Sequence, residues 1–149
     1  MSLKALRVLA IVATDSTYEP RELDGKRVWV GKCIHCNRKL TIGDDGTPIS
    51  HATIEHIWPR NHGGANDLRN IALACAGCNR EKSRHDRQHE KDIRLGEVVD
   101  ELRRRRTERW RDPDAVGLAG RIARVLASTN EDERSSLPSR ARPLGDCSA

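Results

Sequence analysis

The chain has 149 residues, 36% of them hydrophobic and 33% charged, and a net charge of +5. Phe is absent, and Trp29, Trp58, Trp110 and Tyr18 are the only aromatic residues, so little large apolar surface is available for burial. These figures exclude a large multidomain architecture, call for a staple to support a small core, and favour a polyanionic partner, nucleic acid foremost.

The first element expected is a short buried helix over residues 3–13, capped by Ser2. Its apolar run, Leu6–Ala13, carries Arg7 and is too short to span a membrane. Residues 15–25 read as a polar connector with Pro20 and Gly25. Lys26–Gly31 is rich in β-branched and aromatic residues and predicts a strand. Residues 39–57 predict strand, turn and strand, with Asp45-Gly46 as the hairpin signal. A polar loop over 59–70 contains Gly63-Gly64, and Ile71–Cys75 is a short apolar strand. Residues 76–94 read as a charged helix without proline. Leu95, Val98, Val99 and Leu102 then recur at helical spacing in a second helix that runs towards Trp110. After the break at Asp112-Pro113, Leu118, Ile122, Val125 and Leu126 mark an amphipathic helix. The tail rich in Ser, Arg and Pro is expected to be disordered. The organisation expected is an N-terminal helix and connector (1–24), a central domain (25–90), a helical extension (91–128) and the tail (129–149).

Four of the five cysteines form two pairs, Cys33-x2-Cys36 and Cys75-x2-Cys78. A two-residue gap suits two thiolates on one ion better than a disulfide, and four thiolates complete a tetrahedral zinc site. The unpaired Cys147 fits a reducing compartment, and a cytoplasmic location is expected. A zinc ribbon needs neither Glu55-His56 nor the glycine-rich loop nor Asn70 and Asn79. Arg80, Lys82 and Arg84 on the charged helix, and Arg103 to Arg106 with Arg109 and Arg111 on the next, are candidates for phosphate contacts. Interleaved acids make a salt-bridged surface an equal reading of those basic clusters. No base-reading module is visible.

Glu55-His56, Pro59, Gly63-Gly64, Asn70, Cys75-x2-Cys78-Asn79 and Lys82, in that order, resemble the HNH endonucleases, the zinc-stapled branch of the ββα-metal nucleases. The resemblance covers about residues 33–84. It implies an α+β fold: a small ββα-metal core with a four-cysteine zinc site, flanked by N- and C-terminal helices. It also implies metal-dependent hydrolysis of DNA phosphodiester bonds. His56 would be the general base, because an imidazole can accept a proton from water at neutral pH. Glu55 and the amide oxygen of Asn79 would hold a catalytic Mg²⁺ or Mn²⁺. Asn70, the family's middle asparagine, would orient His56 or constrain the loop. Glu55 stands where aspartate or histidine is commoner. Neighbouring strand residues point to opposite faces, so Glu55 and His56 can serve one site only where the strand ends. Similar domains serve phage packaging and mobile elements, so a protein partner from such machinery is a further expectation. The competing reading is a non-catalytic zinc module that binds nucleic acid or protein.

Overall fold

The computed structural model describes residues 1–127. Helix α1 (Leu3–Thr14) begins at Ser2, whose hydroxyl accepts from the Ala5 N–H at 3.1 Å. Every residue from Val8 to Thr14 is buried, which explains why an apolar run with almost no polar face occurs here. Strands β1 (Glu19–Leu23), β2 (Lys26–Lys32) and β3 (Lys39–Gly43) form an antiparallel sheet in that order. Strand β1 lies inside the stretch expected to be a connector. It is an exposed edge strand at all five positions, so no buried apolar face marks it in the sequence.

Strands β4 (Ala52–His56) and β5 (Ile71–Cys75) form a second antiparallel pair, followed directly by helix α2 (Ala76–Asp86). These three elements are the expected ββα unit. The turn at Asp45-Gly46 is present, with Gly46 at φ +84° and the space for a Cβ filled by the Ala5 carbonyl. It does not pair β3 with β4, however. The chain returns only as far as a single bridge between Ile42 and Pro48. Pro48 has no N–H to extend a ladder, and the Ser50 hydroxyl accepts from the Thr41 N–H. The two strands therefore belong to separate sheets.

The charged helix is also shorter than expected. It stops at Asp86, and a new helix, α3 (Ile93–Arg109), starts at Asp92, whose carboxylate accepts from the Leu95 N–H. Asp92 as a helix cap is the signal that divides the two. Beyond a 3₁₀ turn at Pro113–Val116, Leu118, Ile122 and Val125 are buried as expected, but residues 119–122 are turns and the helix begins only at residue 123. The expected tail and Cys147 lie outside the described residues.

One core gathers these parts. Leu9, Ile11 and Val12 of α1 meet Trp29 and Ile42 of the first sheet, Ile71 and Leu73 of β5, and Leu95, Val99 and Leu102 of α3. The completely buried Arg106 of α3 donates to the carbonyls of Thr14, Leu68 and Ile71 and to the Thr14 hydroxyl. Burial pulls its guanidinium down to about 10. Among the described residues, no helix is long and apolar enough to cross a membrane.

Candidate active site and zinc centre

The four-cysteine group is assembled from three places: the knuckle after β2, the end of β5 and the first turn of α2. The ligand sulfurs of Cys33, Cys36, Cys75 and Cys78 all lie within 4.8 Å of one another, and all four are free thiols. That donor set fits a tetrahedral zinc ion. Burial raises the Cys33 and Cys78 thiols above their ordinary range. Burial pushes Cys75 the same way, but hydrogen bonds from the Cys78 N–H and the neighbouring thiols outweigh it and bring Cys75 down to about 7. The Cys33 sulfur also accepts from the backbone N–H groups of His35 and Cys75, which ties the two knuckles together before any ion is counted.

Residues 57–70 form the loop between β4 and β5. Asn70 holds it closed. Its side-chain oxygen accepts from the Trp58 N–H at 2.8 Å, and its amide nitrogen donates to the carbonyls of Trp58 and Ala65. Of the two roles expected for Asn70, the geometry is that of the loop constraint. Gly64 completes the turn by passing directly over the Trp58 carbonyl.

His56, at the end of β4, lines an open cavity of about 320 Å³ with Ile54, Asn79, Ser83 and Asp86. Arg60 and Arg87 are among its other lining residues. His56 Nε2 lies 2.8 Å from Asn66 Oδ1. The Asn79 amide nitrogen donates to Thr53 Oγ1 at 2.8 Å, so its carbonyl oxygen remains free to take another partner. The structure thus brings His56 and Asn79 to one cavity. Ser83, one turn after Asn79, lines it too, with its hydroxyl donating to the Arg80 carbonyl.

It does not bring Glu55 there. Glu55 and His56 pair in register with Ala72 and Ile71, so both are inside the regular ladder and their side chains diverge. The Glu55 carboxylate is buried and accepts from His35 Nε2, with its two oxygens at 2.7 and 2.8 Å. The expectation that Glu55 and Asn79 share a cation is not met in this geometry. Glu55 instead ties the first zinc knuckle to β4. Among the described residues, the cavity offers a hard cation the amide oxygens of Asn79 and Asn61, whose amide nitrogens alone are engaged, beside the Asp86 carboxylate. Mg²⁺ retains several waters and takes phosphate oxygens, so these donors fit as protein anchors, while Glu55 does not.

Lys82 also departs from expectation. Its ammonium is buried and donates to the His56 carbonyl at 3.1 Å and to Asp86 at 2.6 Å, so it ties the end of β4 to α2 and is closed to phosphate. Arg80 and Arg84 are exposed on α2 and, with Arg87, line an open groove beside the cavity. Of the α3 arginines, Arg94, Arg103 and Arg104 are exposed, whereas Arg105, Arg106 and Arg109 turn inward. Arg105 donates to the carbonyls of Ile34 and His35, and Arg109 to those of Lys32 and Cys33. Arg104 pairs with Glu101 and Glu108. Asn66 is the site residue that the sequence does not reveal. A lone asparagine before an aspartate in a polar loop reads as a turn residue, and nothing local links it to a histidine ten positions earlier.

The described residues thus hold a ββα unit with four clustered cysteines, and a histidine and an asparagine lining one open cavity. Residues 33–85, roughly a third of the chain, match the HNH endonuclease family, whose activity is of the nuclease type. No curated protein and no solved structure matches the chain.

Proposed function

We propose that this protein is a metal-dependent endonuclease that hydrolyses DNA phosphodiester bonds. The observation that carries this reading is the shared cavity of His56 and Asn79, open to solvent and flanked by exposed arginines. His56 acts as the general base that takes the proton from the attacking water. Asn79 anchors a divalent cation, Mg²⁺ or Mn²⁺, through its amide oxygen. When bound, that ion neutralises charge developing on the scissile phosphate. Arg80 and Arg84 contact backbone phosphates on either side, which gives affinity that falls with salt and carries little sequence information. Asn70 acts through the loop, and Glu55 through the zinc knuckle. The bound structural ion is zinc. The proposed setting is cytoplasmic, with a protein partner from phage-packaging or mobile-element machinery.

The test is a plasmid cleavage assay with Mg²⁺ or Mn²⁺. The wild type should produce nicked or linear DNA, and His56→Ala should lower the rate by about 10²–10⁴-fold while zinc content and melting stay unchanged. Equal behaviour of the two proteins removes the enzymatic reading and leaves a zinc-stapled binding module.

A further inference from the structure

We propose that Asn66 is a positioning residue for His56: it fixes the proton on Nε2 and leaves Nδ1 as the nitrogen that accepts a proton. The inference rests on the nuclease reading for its consequence, but its geometry stands apart from it. Asn66 Oδ1 lies 2.8 Å from His56 Nε2. A carboxamide oxygen only accepts, so the ring nitrogen facing it must carry the hydrogen. In a neutral imidazole the lone pair then sits on Nδ1. Among the described residues, Nδ1 makes no hydrogen bond within the protein, so that lone pair stays free.

Asn66 is held well enough to do this. Immediately before it, the Ala65 carbonyl accepts from the Asn70 side chain. Immediately after it, Asp67 closes a turn by accepting from the Arg69 N–H through its carboxylate and from the Asn70 N–H through its carbonyl. His56 is fixed from its own side as well. Its carbonyl accepts from Lys82, and the next residue, Ile57, donates its N–H to the Asn70 carbonyl. Both ends of the His56–Asn66 bond are thus anchored to Asn70. A positioned base is worth most when a second group locks its tautomer.

The tautomer can be read directly. In ¹⁵N-labelled protein, at a pH where the ring is neutral, His56 should show Nε2 as the protonated nitrogen and Nδ1 as the bare one. Asn66→Leu should lose that bias and lower kcat on a duplex oligonucleotide about 10–100-fold, with KM within about twofold and zinc retained. Asn66→Asp, which keeps an acceptor in place, should restore the tautomer and most of kcat. A wild-type ring protonated on Nδ1 overturns the proposal, and this measurement decides it even if Asn66→Leu fails to fold. Cleavage by Asn66→Leu at the wild-type rate overturns it while leaving the nuclease reading intact. A wild type with the Nε2–H tautomer but no cleavage on any DNA overturns the nuclease reading and the catalytic role of Asn66 with it.

Discussion

His56 is held by groups that are far from it in sequence: Lys82 on its carbonyl, Asn66 on its ring, and Ile71 opposite it in the ladder. The loop that makes these meetings possible depends on Gly64. A Cβ there would collide with the Trp58 carbonyl and lie 2.8 Å from that of Pro59, both backbone atoms with nowhere to go. Gly64→Ala should therefore destabilise the protein by about 1–3 kcal/mol and reduce cleavage further than the stability loss explains, since the Asn66 and Asn70 contacts share that loop. Thermal melting and cleavage rate at a temperature where the variant remains folded check both parts. At this scale the residue types are legible in the sequence and their directions only partly so. His56, Asn79 and Asn70 are recognisable from their order. The same order points Glu55 and Lys82 to the candidate site, yet one binds His35 in the first cysteine knuckle and the other the His56 carbonyl and Asp86. Spacing along a strand or helix fixes which face a side chain leaves from, but not what is waiting on that face.

Helix α3 lies beyond the stretch that matches the HNH family, yet its arginines bind the site together. Arg105 and Arg109 cap carbonyls of the first zinc knuckle, and Arg106 caps the carbonyls of Leu68 and Ile71 at the end of the site loop and the start of β5. Arg106→Met would leave the carbonyls of Thr14, Leu68 and Ile71 and the Thr14 hydroxyl without this donor in a dry interior. A loss of about 3–5 kcal/mol is expected. Arg106→Lys should recover little of it, because one ammonium cannot span acceptors that the guanidinium fork reaches from separate nitrogens. Denaturant unfolding of the two variants measures the effect, and a loss under about 1 kcal/mol for Arg106→Met would show that the fork is dispensable. The helix itself is legible from Leu95, Val99 and Leu102. The use of its arginines is not, since runs of basic residues look alike in sequence whether they face phosphate or the protein's own carbonyls.

For the molecule as a whole, the four-cysteine group fitted to a metal ion brings the first sheet to the ββα unit through Cys33 and Cys36 on one side and Cys75 and Cys78 on the other. A core with so few aromatic residues is expected to depend on a metal held there. Chelation, or Cys75→Ser, should abolish the cooperative thermal transition and not merely slow turnover. Circular dichroism melts with and without added zinc test this, and a native-like melt without metal would refute the staple. The sequence alone made the thiolate set legible, because it depends on residue type at short, fixed gaps, and the resemblance to the HNH endonucleases pointed to the ββα order and to His56, Asn70 and Asn79. The tertiary structure decided the rest. It separated β3 from β4, turned Glu55 towards His35, buried Lys82 and Arg106, and set Asn66 against His56. All of these are pairings between distant segments, and packing selects them by which polar groups must find partners once water is gone.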